Sequence, residues 1–334
     1  MAIYNRIGGF FMRSYSDIPE EFEVSMSWPS AIKELLLFKK AEGYTEGTLK
    51  GYKSSMKLFS EYCVAKGYMS PANVPKRAVR EFQADMNESH AVGYCNAHLS
   101  RIRAFYGFLC DEGDLPEYAD PTRRLKMAEV LKKKLIIFND EEVLQFIEAA
   151  GNQKNKFFAA RDKLLIMMMA DAGLRVREMV SLQDKEVTDE YIFVKKGKGN
   201  KQRMVYCSPA VAKEVIRYKR VRNAYFDSKN IPKNGMLFRN RDGGFLKNDG
   251  VQKMLKKLAT VVDVRADVRV SPHTFRHYFA QSQLKNGCDI LTLSRLLGHS
   301  NINTTQIYLE GLADEELVQS AISTSPLMNL RNRQ

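Results

Sequence analysis

Residues 296–308 read LLGHSNINTTQIY: an apolar pair, a glycine, a histidine, a polar run, and then Tyr308. The chain holds fifteen tyrosines, and a tyrosine is ordinarily an amphipathic packing residue whose hydroxyl stays wet. Whether Tyr308 does more depends on the groups the chain can bring to its hydroxyl. Three stretches upstream hold polar groups that a plain core does not need. GLRVRE (173–178) puts Arg175 behind a glycine and a leucine, and GKGNKQR (197–203) puts Lys198 between two glycines. HTFRH (273–277) puts His273, Arg276 and His277 within about one helical turn, and the LLGHS of the opening stretch supplies His299.

Each piece has a plain reading when taken alone. An arginine near a helix start is usually a surface residue, and a GKG tip is usually a solvated turn. The latter lacks the GxxxxGK[ST] spacing of a phosphate loop. The two histidines of HTFRH stand at i and i+4, as in a zinc helix. However, Thr274 occupies the place of the glutamate base, and Arg276 would repel a dication, so no metal site is expected.

Together the pieces fit attack on a phosphodiester by a tyrosine hydroxyl. The phosphodiester oxygens are negative and become more so in the transition state. Two arginines, always charged and presenting forked donors, suit them. A phenol with a pKa of about 10 is scarcely ionised at neutral pH, so it needs cationic neighbours and a base, which a histidine can be. A lysine at a hairpin tip can protonate the departing 5′ oxygen. Side chains supply the positive charge, so neither metal nor other cofactor is expected.

The bulk properties agree with a nucleic-acid partner. Of 334 residues, 44% are hydrophobic and 27% charged, with a net charge of +13; a basic surface concentrates polyanions. The charge clusters in KKGKGNKQR (195–203) and RRLKMAEVLKKK (123–134), whereas residues 1–28 hold more acids than bases. The longest apolar run, LLIMMMA (164–170), is too short to cross a bilayer, and the flanks of IGGFF do not suit a signal peptide. Five scattered cysteines with no CxxC pair predict reduced thiols in a cytoplasm.

Along the chain, IKELLLF, TLKGYKSSMKLFSEYC, AVREFQADM and CNAHLSRIRAFYGFL place apolar residues at helical spacing, with breaks at 42–47 and 67–75. They predict a four-helix bundle over 29–115, after a tail at 1–28. CDEGDLPEYADP (110–121) and the basic stretch after it predict a linker over 116–136. A second domain, 137–311, opens near FNDEEVLQFIEAAG with Asn139 or Asp140 as a cap. It continues through an apolar helix interrupted at Gly173 and a hairpin of YIFVKK and QRMVYC. From Pro209 the pattern reads as helical almost to the end, with a tail at 312–334 whose DEELVQSAIS predicts a short helix. The fold class is mainly α, in two domains, with a small antiparallel sheet in the second.

GLRVRE, GKGNKQR, HTFRH and LLGHSNINTTQIY, in that order, resemble the tyrosine recombinase (phage integrase) family over roughly 30–310. The resemblance implies a SAM-like core-binding domain followed by a catalytic domain. Arg175 and Arg276 would clamp the scissile phosphate, Lys198 would be the general acid, and His273 the base. His299 would bond the phosphate, and Tyr308 would form a 3′-phosphotyrosyl link. Glu178 would buttress the site and His277 would support its helix. The chain departs from the family's usual pattern at Asp171-Ala172, Arg177 and Phe275, none of which removes a reacting group.

The resemblance further implies a partner, double-stranded DNA, gripped by two domains closing as a clamp. Four copies would assemble on two sites from a protein that is a monomer or weak oligomer when free, in a cytoplasmic, nucleoid-associated setting. The tail 312–334 would dock into a neighbouring copy, the alternatives being that it folds back on its own domain or stays disordered. Integration or excision of a mobile element is the expected use; Xer-type resolution of chromosome or plasmid dimers is the alternative. Relaxation by a type IB topoisomerase-like enzyme would use the same groups, but the helical first domain and the tail favour a recombinase. A DNA-binding factor without catalysis predicts a missing active-site group, and none is missing.

Overall fold

The computed structural model describes residues 26–130, 135–195, 202–299 and 301–309. Its contacts divide the chain into two units, Met1–Lys132 and Lys133–Gln334. The expected terminal tail helix and Lys198 lie outside the described residues.

Among the described residues the first unit holds four α-helices: α1 (Trp28–Ala41), α2 (Glu46–Ala65), α3 (Lys76–Ser89) and α4 (Val92–Asp111). Ser27 and Thr45 cap α1 and α2 by accepting from the N–H groups of Ser30 and Thr48. The apolar stripes read from the sequence meet in a core that includes Leu35, Met56, Phe59, Phe82 and Phe105. Trp28 stacks on Phe105 at 6.0 Å and meets Phe59 edge-on at 5.8 Å. Its indole N–H donates to the Tyr68 carbonyl at 3.0 Å, so its polar end is satisfied. The basic stretch after α4 is tied to this unit. Leu125 is buried in its core, and Gln83 and Asn96 donate to the carbonyls of Lys126 and Ala128 at 3.1 and 2.8 Å. The segment expected as a linker is therefore held to the first unit as far as Ala128.

The second unit opens with α5 (Asp140–Gly151), α6 (Lys156–Asp171) and α7 (Val176–Val180). Asn139 caps α5. Its Oδ1 accepts from the Glu142 N–H at 2.7 Å, and the Glu142 carboxylate accepts from the Asn139 N–H at 2.8 Å. The LLIMMMA run buries Leu164, Leu165, Ile166, Met168 and Met169. The hairpin follows as β1 (Tyr191–Val194) and β2 (Arg203–Tyr206), antiparallel, with Val194 opposite Arg203.

After α8 (Pro209–Asp227) the expected continuous helix is interrupted until α9 (Asn248–Leu258). Pro232, Gly235, Gly243 and Gly244 fall in this gap, and its backbone polar groups find side-chain partners instead of a helical ladder. Arg222 donates to the carbonyls of Met236 and Leu237 at 2.8 and 3.0 Å, and Arg239 to that of Gly243 at 2.7 Å. The unit continues with α10 (Pro272–Lys285), α11 (Ile290–Leu297) and α12 (Asn303–Gln306).

Candidate active site

Four elements of the second unit carry the site. α6 ends at Asp171, and Gly173 turns the chain into α7 at φ 56°, a left-handed conformation natural to glycine. The turn also needs glycine sterically, because a Cβ there would lie 2.2 Å from the Phe279 ring on α10. The Gly173 carbonyl accepts a bond from Arg276, also on α10. This close approach brings Arg175, at the start of α7, into the same site as the HTFRH residues.

α11 ends at Gly298, the cap residue, with φ 64°. The Leu297 carbonyl accepts from Arg276 Nη2 at 2.6 Å, and the Gly298 carbonyl from Arg175 Nη2 at 3.1 Å. Both arginines are thereby held by helix-end carbonyls that lack partners within the helix. Arg276 is 4% exposed. Burial, and after it the charge of Arg175, pulls its pKa down to about 10, which leaves it cationic at neutral pH. Arg177 is exposed.

His299 bridges Arg276 and Thr305. Its Nε2 lies 3.1 Å from Arg276 Nη2, and its Nδ1 lies 2.9 Å from Thr305 Oγ1. Arginine only donates, so Nε2 accepts and the ring proton sits on Nδ1. A neutral ring agrees with its pKa, lowered to about 4 by burial and then by Arg276, Arg175 and Arg203.

Tyr308 follows α12 and is 2% exposed, in a small apolar cluster with Phe279, Ala280, Leu293 and Leu297. Its hydroxyl lies 3.2 Å from His277 Nδ1, and Arg276 also reaches it. The His299 ring stacks over it at 6.4 Å. Burial holds the phenol pKa above its ordinary value, against the opposing pull of Arg276 and Arg175.

The structure thus brings together Arg175, Arg276, His299 and Tyr308 from the sequence reading. It places His277, rather than His273, against the hydroxyl. The pKa of His277 is lowered to about 4 by burial and then by His273 and Arg276. His273 is exposed, with its ring centroid 6.4 Å from that of His277. Desolvation and the charges of Arg276, Arg175 and Arg269 lower its pKa; with the ring exposed, the charges are the firmer cause.

Two residues escaped the sequence reading. Thr305 accepts the hydrogen bond that His299 Nδ1 donates and is wholly buried; it sits inside the quoted box, but nothing in its spacing marks it. Arg203 donates to both oxygens of Glu178, at 2.9 and 2.7 Å. It ends the quoted GKGNKQR stretch, where it reads as one more basic residue.

A model of the phage integrase family matches residues 137–315. Among curated relatives, tyrosine recombinase XerD of Staphylococcus haemolyticus is 29% identical over 284 residues, covering 83% of this chain and 92% of the relative. Tyrosine recombinase XerC of Leptospira interrogans is 28% identical over 299 residues, covering 88% and 93%. Among solved structures, XerH bound to its palindromic difH substrate matches with a TM-score of 0.69 at 20% identity, covering 90% of this chain and 85% of that one. A lambda integrase dimer bound to a COC′ core site matches at 0.65 and 14%, covering 86% and 97%. At such identities these two likenesses speak to the fold.

Proposed function

This chain belongs to the phage integrase family and is a site-specific tyrosine recombinase, and we propose that it cuts and rejoins duplex DNA through Tyr308. The observation that carries this reading is the surroundings of the Tyr308 hydroxyl: His277 at 3.2 Å, and Arg276 beside it and bonded in turn to His299. A packing tyrosine has no use for a guanidinium and two neutral imidazoles.

In the proposed step, the phenol oxygen of Tyr308 forms a bond to phosphorus while the bond from phosphorus to the 5′ oxygen breaks. Arg175 and Arg276 bond the non-bridging oxygens as their charge grows, and His299 joins them once its Nε2 gives up Arg276 and carries the ring proton. Lys198 gives its proton to the departing 5′ oxygen. Tyr308 is buried at rest, so on DNA it moves out to the phosphate. Its hydroxyl passes from His277, which holds it at rest, to His273, which takes its proton. Attack by a partner 5′-hydroxyl runs the same step backwards. One phosphoester replaces another, so no ATP is consumed, and with side chains supplying the charge no metal is needed.

Exchange between two duplexes then requires four active sites, and so a tetramer assembled on DNA, with the 312–334 tail docking between copies. Integration or excision of a mobile element is the use we propose. The XerD and XerC relatives, which match more than four-fifths of the chain, favour a second use, Xer-type dimer resolution. Terminal attachment repeats flanking the gene would mark the first; a lone chromosomal site would mark the second.

The test is a nicked duplex that loses its cleaved fragment and so traps the enzyme. Wild type should give a covalent protein–DNA adduct in the presence of chelator, and Tyr308→Phe should give none. An adduct mapped to another residue, or one abolished by chelation, would sink the reading.

A further inference from the structure

Three arginines share one anchor. Arg203 Nε donates to the Leu296 carbonyl at 2.8 Å, Arg276 Nη2 to that of Leu297 at 2.6 Å, and Arg175 Nη2 to that of Gly298 at 3.1 Å. These consecutive carbonyls close α11, where a helix leaves its acceptors unpaired and presents the negative end of its dipole. Two of the arginines have roles in the step above. The third, Arg203, has none.

Arg203 is the first residue of β2, and its side chain is only 10% exposed. Its fork is turned inward: Nη1 meets Glu178 Oε1 at 2.9 Å and Nη2 meets Oε2 at 2.7 Å. Arg175 bonds the same carboxylate, from Nη1 to Oε1 at 2.9 Å and from its backbone N–H to Oε2 at 2.9 Å. Each Glu178 oxygen therefore accepts once from each arginine. With its fork on Glu178 and its Nε on Leu296, Arg203 is committed to protein groups, whereas the Arg175 side chain is 23% exposed.

We infer that Arg203 is a positioning residue for DNA cleavage: by matching the charge of Glu178, it leaves the charge of Arg175 to the scissile phosphate. The inference rests on the reading of the site given above. Three guanidiniums and one carboxylate leave two positive charges unmatched, which suits a phosphodiester gaining a second negative charge in its transition state. Without Arg203 only one remains, and Glu178, 4% exposed, directs its whole charge at Arg175. Burial opposes ionisation of that carboxyl, yet the bonds from Arg203 and Arg175 hold its pKa below the ordinary value. Glycine at 298 also serves this arrangement, since a Cβ there would lie 3.0 Å from Arg203 Nη1.

The experiment compares two forms of a nicked duplex that the wild-type chain has selected from a random-sequence pool. One has a normal scissile phosphodiester. The other has a methylphosphonate, in which a methyl group replaces one charged oxygen and less cationic charge is needed. Arg203→Met, which keeps bulk but loses the fork, should slow single-turnover adduct formation on the phosphodiester by about 10²-fold. On the methylphosphonate the loss should be under about 10-fold, the smaller charge demand removing most of that effect, with DNA affinity unchanged.

A role confined to holding the fold slows both substrates equally, and that result overturns the inference. Should Arg203→Met fail to fold, Arg203→Gln keeps a hydrogen-bond donor for Glu178 without the charge. It should show the same inequality, and equal losses there overturn the inference as well. Wild type forming no adduct through Tyr308 would instead refute the reading of the site itself.

Discussion

Tyr308 is subject to two opposed effects. Burial at 2% exposure favours the neutral phenol, while Arg276 and Arg175 favour the phenolate; at rest burial wins, and the pKa is raised. In the proposed step, a phenol kept protonated at rest does not attack adventitiously, and moving it out to the phosphate lifts the restraint that burial imposes. A base must then receive the proton. His277 and His273 are one helical turn apart, and the proposal separates their duties. Because the pKa of His273 is lowered below the ordinary 6.5, more of it is neutral, and able to accept a proton, at any pH near that value. The second-order rate of adduct formation, which reports the free enzyme, should therefore rise with pH and level off with a midpoint below about 6.5. His273→Gln should remove that limb and cost about 10²- to 10⁴-fold in rate. If His277→Gln does this and His273→Gln does not, the resting contact at 3.2 Å is the productive one.

The site is assembled by the ends of elements rather than by their faces. The turn from α6 into α7 passes α10 so closely that only hydrogen fits at Cα of residue 173, and the C-terminus of α11 gathers three guanidiniums. Gly173→Ala should thus act twice, by forcing a left-handed backbone on alanine and by driving a methyl into Phe279. Strain and overpacking together should cost about 3 kcal/mol or more in denaturant unfolding. Adduct formation should fall further than the unfolded fraction explains, because Arg276 is bonded to that residue's carbonyl. A change within about 0.5 kcal/mol, as at ordinary surface positions, would show that the turn is not so tightly constrained.

Across the molecule, a net charge of +13 favours contact with the phosphates of duplex DNA. The proposed function then requires a steep salt dependence. In a filter-binding titration the logarithm of the association constant should fall linearly with that of salt concentration, with a slope of about −5 or steeper if roughly six or more phosphates are neutralised. A flat response would rule out backbone-dominated binding.

Much of this molecule was legible before any coordinates. Four apolar stripes marked the helices of the first unit, the pair Asn139-Asp140 announced α5, and two β-branched and aromatic runs marked the hairpin, because periodicity and capping are local properties. That Arg175, Arg276, His299 and Tyr308 would be neighbours was legible because few chemistries need those side chains in that order. What stayed hidden depends on approach between distant segments. The extended passage between α8 and α9 is held by Arg222 and Arg239, whose bonds no periodicity reports. The contact of Tyr308 with His277, and the fork of Arg203 on Glu178, join residues 31 and 25 positions apart. Local spacing thus specified which groups the chain possesses. Packing of α7, β2, α10 and α11 selected which of them touch, since a hydrogen bond is settled by tenths of an ångström that only the folded arrangement supplies.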